Sequence, residues 1–413
     1  MLPALAIFAA TYFLIAARRF RVLHLGRPAG ALVGAVAMVL VGVLTPAEAY
    51  SAVDLNTLGL LFGMMVLSGY LDEAGFFGAL AGHTLRRASS PALLLAAVVW
   101  ITGIASAFLM NDTVCLMMTP IVATLVAALR LDPLPYLLAL ATSANIGSVA
   151  TLAGNPQNML VGIASGIPYR EYLLVMAPVA LVCLGLNHAL LWLIFRPRLG
   201  PTGAAAPEEI SSRIRRPMLV KSLAALGGVV LAWLLGADLS FAAVAGAAVV
   251  ILLNRFSPAR ILARLDWSLL LFFASLFVVM GGVAHSGALA LAREALPRSP
   301  GPLGAAGFSL LSLIGSNLFS NVPFVMAAGS WVSALPEPRL HWYLLALTST
   351  FAGNLTLVGS MANLIVAELA KGLHPIGFRE YFRYGLAITL VTTLVGVVYL
   401  LAVFSTFSSL LAP

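Results

Sequence analysis

The sequence runs to 413 residues, of which 61% are hydrophobic and 9% charged. Soluble proteins carry roughly 25% charged residues, and apolar runs long enough to cross about 30 Å of hydrocarbon recur from end to end; an ordinary soluble fold is excluded. The net charge of +8 reads as basic residues gathered in cytoplasmic loops, so the expected surroundings are a lipid bilayer and no nucleic acid.

Taken in chain order, the apolar run 3–17 has no basic stretch before it and no small-residue cleavage site, so it reads as a first span and not as a signal peptide. Runs 29–47 and 55–71 follow. The run 91–129 is interrupted by the polar knot Asn111-Asp112-Thr113. The run 134–149 continues, after a break, through 158–165, and 172–195 closes the first half. Residues 196–217, rich in Pro, Gly, Ala, Glu and Arg, read as a cytoplasmic linker. The second half shows 218–236, 241–253 and 267–284, then 303–335 with the knot Ser320-Asn321-Val322-Pro323. Next come 342–352 continuing through 361–369, and finally 384–404. Both knotted runs are expected to be re-entrant hairpins, because a backbone break with Asn, Asp and Pro is tolerated at membrane depth only inside protein or against a cavity.

With hairpins, the chain has ten full spans. All Lys and Arg except Arg170, Arg293, Arg298 and Arg339 then face the cytoplasm, including Arg18, Arg19, Arg21, Arg213 and Arg264. Both termini are expected on the periplasmic side of the cell inner membrane.

The two halves repeat. Leu60-Leu61-Phe62 matches Leu270-Leu271-Phe272, and Asn111 matches Asn321. The segment 151–158 (Thr-Leu-Ala-Gly-Asn-Pro-Gln-Asn) matches 356–363 (Thr-Leu-Val-Gly-Ser-Met-Ala-Asn), and Arg170-Glu171-Tyr172 matches Arg379-Glu380-Tyr381. Each repeat holds an odd number of spans, so the second enters the membrane inverted. The expected fold is an all-α polytopic membrane protein of two inverted repeats, 1–195 and 218–413, each of five transmembrane helices with a re-entrant hairpin and a broken helix. Paired broken helices in inverted repeats are the mark of alternating-access transport.

The chemistry is expected at the breaks. Asp112 is the one carboxylate placed deep in the membrane, where such a residue is costly and functional; held out of water, it can load and release a proton in the working pH range, and it can also cap the second hairpin helix. Gly154 and Pro156 break one helix, and Pro323 and Gly359 are assigned the same task in the second half. Asn111, Thr113, Asn155, Asn158, Ser320, Asn321, Ser360 and Asn363 offer the amides and hydroxyls expected to bind solute, with Asn145, Ser148, Thr151, Gln157, Asn354 and Thr356 nearby. Val322 stands where Asp112 stands in the first half, so coupling through a carboxylate would use one half only. Asp72-Glu73 and Glu368 read as solvated ends of spans, His188 and Cys115 as packing residues. Cys115 and Cys183 lie far apart and suggest neither a disulfide nor a metal site. No Lys or Arg falls in the site segments, which favours a neutral solute. An intramembrane enzyme would need paired aspartates, a serine with its base, or HExxH; Asp112 has no comparable buried aspartate partner and no HExxH occurs, so no enzyme is expected.

At these motifs the chain resembles the ion-transporter superfamily, which includes arsenite permeases, divalent anion/sodium symporters and NhaD-type sodium/proton antiporters. The resemblance is carried by Leu61-Phe62-Gly63-Met64-Met65, Asp72-Glu73-Ala74-Gly75-Phe76-Phe77, Asn111-Asp112-Thr113 with Thr119-Pro120, and Gly154-Asn155-Pro156-Gln157-Asn158. Ser320-Asn321-Val322-Pro323 and Gly359-Ser360-Met361-Ala362-Asn363-Leu364 extend it to the second half. The Asn-Asp tip and the Asp-Glu-Ala-Gly-Phe-Phe stretch look like arsenical pump membrane proteins. Gly-Asn-Pro-Gln-Asn looks like a neighbouring anion-permease branch, and the Ser-Asn-Thr tips of dicarboxylate symporters are absent.

The resemblance implies efflux of As(OH)3 or Sb(OH)3 in exchange for protons. Asn111, Asn158, Asn321 and Asn363 would surround the solute and Asp112 would carry the proton. It implies no cofactor beyond a proton gradient, with sodium as the alternative ion, and it allows a cytoplasmic arsenical ATPase partner and a homodimer. The rivals are sodium- or proton-coupled anion uptake and sodium/proton exchange.

Overall fold

A computed structural model describes residues 1–16, 26–87, 90–200, 214–294 and 299–411. Arg18, Arg19, Arg21, Arg213 and Arg298, together with 201–213 of the expected linker, lie outside the described residues. The first half supplies α1 (Leu2–Ala16), α2 (Arg27–Leu40), α3 (Pro46–Ser51), α4 (Leu55–Glu73), α5 (Phe76–Arg87), α6 (Pro91–Phe108), α7 (Asn111–Ala128), α8 (Pro133–Ser148), α9 (Pro156–Ser165) and α10 (Tyr169–Phe195). The second supplies α11 (Arg216–Leu234), α12 (Leu239–Leu253), α13 (Pro258–Leu262), α14 (Trp267–His285), α15 (Ala288–Glu294), α16 (Gly301–Phe319), α17 (Asn321–Val332), α18 (Pro338–Ala352), α19 (Met361–Leu369) and α20 (Phe378–Leu411). The long–short pattern of the first series recurs in the second. Among the described residues, eight helices are long and apolar enough to cross a membrane; the fold is all-α and multi-pass.

The same local chemistry builds corresponding elements. Asp54 caps α4 and Asp266 caps α14, each accepting a backbone N–H of the first turn, and such a cap stabilises a helix by about 1 kcal/mol. Gly75 (φ 83) and Gly287 (φ 78) adopt the left-handed turn after these two helices, a conformation glycine takes without a Cβ penalty. Aligned on these caps, Leu60 corresponds to Phe272, so the expected pairing of Leu60-Leu61-Phe62 with Leu270-Leu271-Phe272 is displaced by two residues.

A second correction concerns 29–47. The helix stops at Leu40, since Gly42 turns with φ 78 and Thr45-Pro46 starts a separate helix through a reciprocal Thr45–Glu48 cap. At 14 residues, α2 is about 21 Å long.

The halves interlock. Helix α2 packs on α14 of the other half, and α12 packs on α4. At the centre lies α8, with every residue from Leu134 to Ser148 buried, against α6, α7, α10 and α18. Its approach to α6 is close: a Cβ on Gly147 would collide with the backbone of Gly103.

Ion pairs join groups that the charge pattern assigns to one side: Glu73 with Arg215 and Arg264 (both 2.8 Å), Arg198 with Asp132 (3.5 Å), and Arg339 with Glu171.

Candidate functional site

Four helices begin at the centre of the molecule. They are α7 at Asn111, α17 at Asn321, α9 at Pro156 and α19 at Met361. Each leaves its first N–H groups without intrahelical partners and carries the positive end of a helix dipole. Asn155 caps α9 by accepting the Asn158 N–H (2.8 Å), with Pro156 in the first turn, where its missing N–H costs nothing. Ser360 caps α19 by accepting the Ala362 N–H (3.2 Å).

The two breaks are built alike. The Asn158 amide donates to the Ser148 and Thr151 carbonyls (both 3.1 Å), and the Asn363 amide donates to Gly353 (2.6 Å) and Thr356 (3.0 Å). These side chains hold carbonyls at and just past the ends of α8 and α18, where the chain leaves the helix; the Thr356 carbonyl also accepts the Gly359 N–H (3.0 Å). Gly154 cannot be larger, since a Cβ there would strike the Ser148 carbonyl. Pro323 does not break a helix as expected: it sits in the first turn of α17, and the interruption lies at Ser320. Ser320 holds φ 69, a strained value for a residue with a Cβ, of the kind that costs about 1–3 kcal/mol and clusters at functional sites.

The hairpin tips are inside the protein. Asn111 is 2% exposed and Asn321 6%. The Asn111 N–H donates to the Gly154 carbonyl (2.9 Å), tying the first tip to the first break. Asn321, with its amide turned to donate, reaches the Gly359 carbonyl at 3.2 Å and that of Ser349 at 3.3 Å.

Between the halves runs a buried polar network. The Asn145 oxygen accepts from Asn111 (3.1 Å) and Ser360 (2.9 Å), while its amide donates to Asn354 (2.9 Å) and Asn363 (3.0 Å). Thr350 answers from the other half, donating to Asn158 (3.4 Å) and accepting from Asn155 (3.3 Å) and Gln157 (3.4 Å). A side chain from each central helix thus holds the opposite half's break.

A small cavity of about 40 Å³ lies at the tips, lined by Asn111, Asp112, Gln157, Ser320, Asn321, Ser360 and Arg27 among others. That is room for a few water-sized groups. Asp112 also borders a larger cavity of about 160 Å³, shared with Thr113, Asp72, Arg264 and Asp266. A third cavity, about 540 Å³, is lined by both halves, by Asp54 and Leu160 from the first and Gly281 and Met326 from the second. The small cavity shares Asp112, Leu269 and Met361 with the 160 Å³ cavity and no lining residue with the third.

The expected residues therefore assemble, with different geometries. Asn111, Asp112, Ser320, Asn321, Ser360 and Gly359 face the small cavity. Thr113 faces the larger one. Asn155, Asn158 and Asn363 are spent on caps and carbonyls beside it.

Three expectations are corrected. Asp72 is not merely a solvated helix end, since it lines the cavity of Asp112; Glu73 is held by two arginines. Asp112 is not the only carboxylate there, because Asp266, the cap of α14, borders the same space. The site is also not free of cations. Arg27, the first residue of α2, reaches the small cavity, and its Nη1 lies 2.7 Å from the Met361 Sδ.

Asp112 lies within electrostatic reach of Arg27, of Asp266 and of the backbone N–H of Ala362. Arg27 escaped the sequence reading because α2 returns to the centre only through packing on α14. The one signal was an Arg-Pro pair opening an apolar run. Among the described residues, no group of three or more His, Cys, Asp and Glu is placed to hold a metal ion.

In a multi-pass helical protein, a buried polar site at broken helices between two similarly built halves is an arrangement suited to solute transport. The chain belongs to the citrate transporter family CitMHS, whose pattern matches residues 12–352. It is 33% identical to the silicon efflux transporter LSI3 of Oryza sativa subsp. japonica, over 91% of this chain and 92% of that one. It is 28% identical to a Dictyostelium discoideum protein carrying the transporter name arsB, over 91% of this chain and 87% of that one. In three dimensions it resembles the Alcanivorax borkumensis YdaH transporter, described as having an unusual topology, with a TM-score of 0.56 over the full length of both chains at 18% identity. The last likeness supports the fold alone.

Proposed function

We propose that the protein exports a small, uncharged polyhydroxy acid of a metalloid, arsenous acid As(OH)3 or its antimony analogue, in exchange for protons, by alternating access in the cell inner membrane. The observation that carries the reading is the small central cavity. It is walled by amides, hydroxyls, helix N-termini and the apolar side chains of Leu269, Phe272 and Phe273, it has room for a few water-sized groups, and it contains one carboxylate and one guanidinium, Asp112 and Arg27. Neutral hydroxy acids need both hydrogen-bond donors and acceptors; the ionised Asp112 supplies acceptors, and the Asn111 and Gln157 amides, each with one N–H given to a neighbouring side chain, supply their second N–H. Proton binding to Asp112 removes an acceptor for solute hydroxyls, so solute and proton exclude each other. The names of the silicon and arsB relatives favour the same solute class, because Si(OH)4 and As(OH)3 are both neutral at pH 7. The two halves, 1–195 and 218–413, would rock about the Asn145 and Thr350 contacts.

Anion transport is the second reading. It is favoured by Arg27 at the cavity and by the family's citrate name. Uptake into everted vesicles containing the protein, acid inside, separates the two. Gradient-driven accumulation of arsenite or antimonite, with citrate neither carried nor inhibitory, supports the proposal. Citrate or sodium-driven flux, with no metalloid flux under any gradient, refutes it.

A further inference from the structure

Arg27 and Asp112 are asymmetric in the same way. Arg27 is the first residue of α2 and Leu239 the first of α12; Asp112 is the second residue of α7 and Val322 the second of α17. The two halves place apolar side chains at both positions in one case and opposite charges in the other. Both charged groups line the small cavity, and they lie within electrostatic reach of each other. The remaining charges near Asp112 are on the side of the larger cavity: Asp72 from α4, Asp266 at the start of α14, and Arg264, which is engaged by Glu73 at 2.8 Å.

We propose that Arg27 is the counter-ion that lets the solute-loaded, unprotonated site change sides, a role that rests on the proton-coupled reading above. With Asp112 ionised and receiving the hydroxyl hydrogens of a neutral solute, the site without Arg27 would carry one unpaired negative charge through a low-dielectric interior. Arg27 cancels it. Its planar fork of donors would also serve the oxygens of a solute held in the cavity it lines. When a proton replaces the solute, Asp112 is neutral and Arg27 remains, so the return step carries the charge. Removing one partner of such a pair is far more damaging than replacing both with apolar groups, and Leu239 and Val322 show what this fold accepts at those places.

The test is solute counterflow in proteoliposomes, the exchange of labelled for unlabelled arsenite with no proton gradient, read beside gradient-driven accumulation. Arg27→Leu is expected to lose counterflow on the order of 100-fold. Arg27→Leu combined with Asp112→Val, which also removes a solute acceptor, is expected to stay below the parent but to exceed the single variant by about tenfold, while accumulating nothing under a gradient. Arg27→Lys, which keeps the charge, is expected to retain counterflow and covers the case in which Arg27→Leu does not fold. Parent-level counterflow in Arg27→Leu, a double variant no better than the single, or gradient-driven accumulation by the double variant overturns the proposal. Absence of both counterflow and accumulation in the unaltered protein would instead remove the metalloid reading itself.

Discussion

The two hairpin–break units are nearly the same machine with different contents. In the first, the tip carries Asn111 and Asp112, the break is capped by Asn155, and α2 delivers Arg27. In the second, the tip carries Asn321 and Val322, the break is capped by Ser360, and α12 delivers Leu239. What is shared is the polar work of breaking a helix indoors: Asn158 and Asn363 each donate to a matching pair of carbonyls. What differs is charge. On the proposed function, the common parts are the frame and the unmatched charges are where ion coupling would sit. Strain is unequal too: Ser320 holds φ 69, while Met110, its counterpart before α7, sits at φ −58.

The sharpest way to break this comparison is to remove the unmatched carboxylate. Asp112→Asn is expected to abolish gradient-driven accumulation, to background, while the protein stays monodisperse in detergent. Retained accumulation would move coupling to another group, Asp72 first.

Next in size is Asn145→Ala. It strips partners from Asn111, Ser360, Asn354 and Asn363 together, and each buried group left unsatisfied costs about 1–3 kcal/mol. Thermal unfolding should fall markedly, with transport lost. Its counterpart Thr350→Ala should cost less, about 1 kcal/mol, because its contacts are long, 3.3–3.4 Å. Equal losses would mean that the halves share the load evenly. Smallest is Arg339→Ala at the partly exposed pair with Glu171, where a shift within about 1 kcal/mol is expected.

Much of this was legible in sequence. The apolar helices, the two knots and the matched segments 151–158 and 356–363 follow from hydropathy and from Asn, Gly and Pro placed where apolar helices have no other reason to carry them. Asp112 stood out because a carboxylate in an apolar run needs an explanation.

The unread part is what long-range packing brings in. Arg27 opens α2 and looks like a loop cation until α2 docks on α14. Asp266 looks like an N-cap, which it is, but the turn before α14 also places it on the cavity of Asp112. Thr350 ends the run Thr348-Ser349-Thr350, and such hydroxyls in a helix read as satisfied by the preceding turn, as Thr348 is by the Leu344 carbonyl. Pro323 misled because proline reads as a breaker, whereas in a first helical turn it is accommodated.

The most direct test of the central claim, that one carboxylate in an otherwise paired frame exchanges protons for solute, is proton movement itself. In proteoliposomes with a pH-sensitive dye inside, an imposed arsenite gradient should drive protons in the opposite direction, and Asp112→Asn should show no proton movement. Arsenite flux through the unaltered protein without any opposing proton flux would contradict the account.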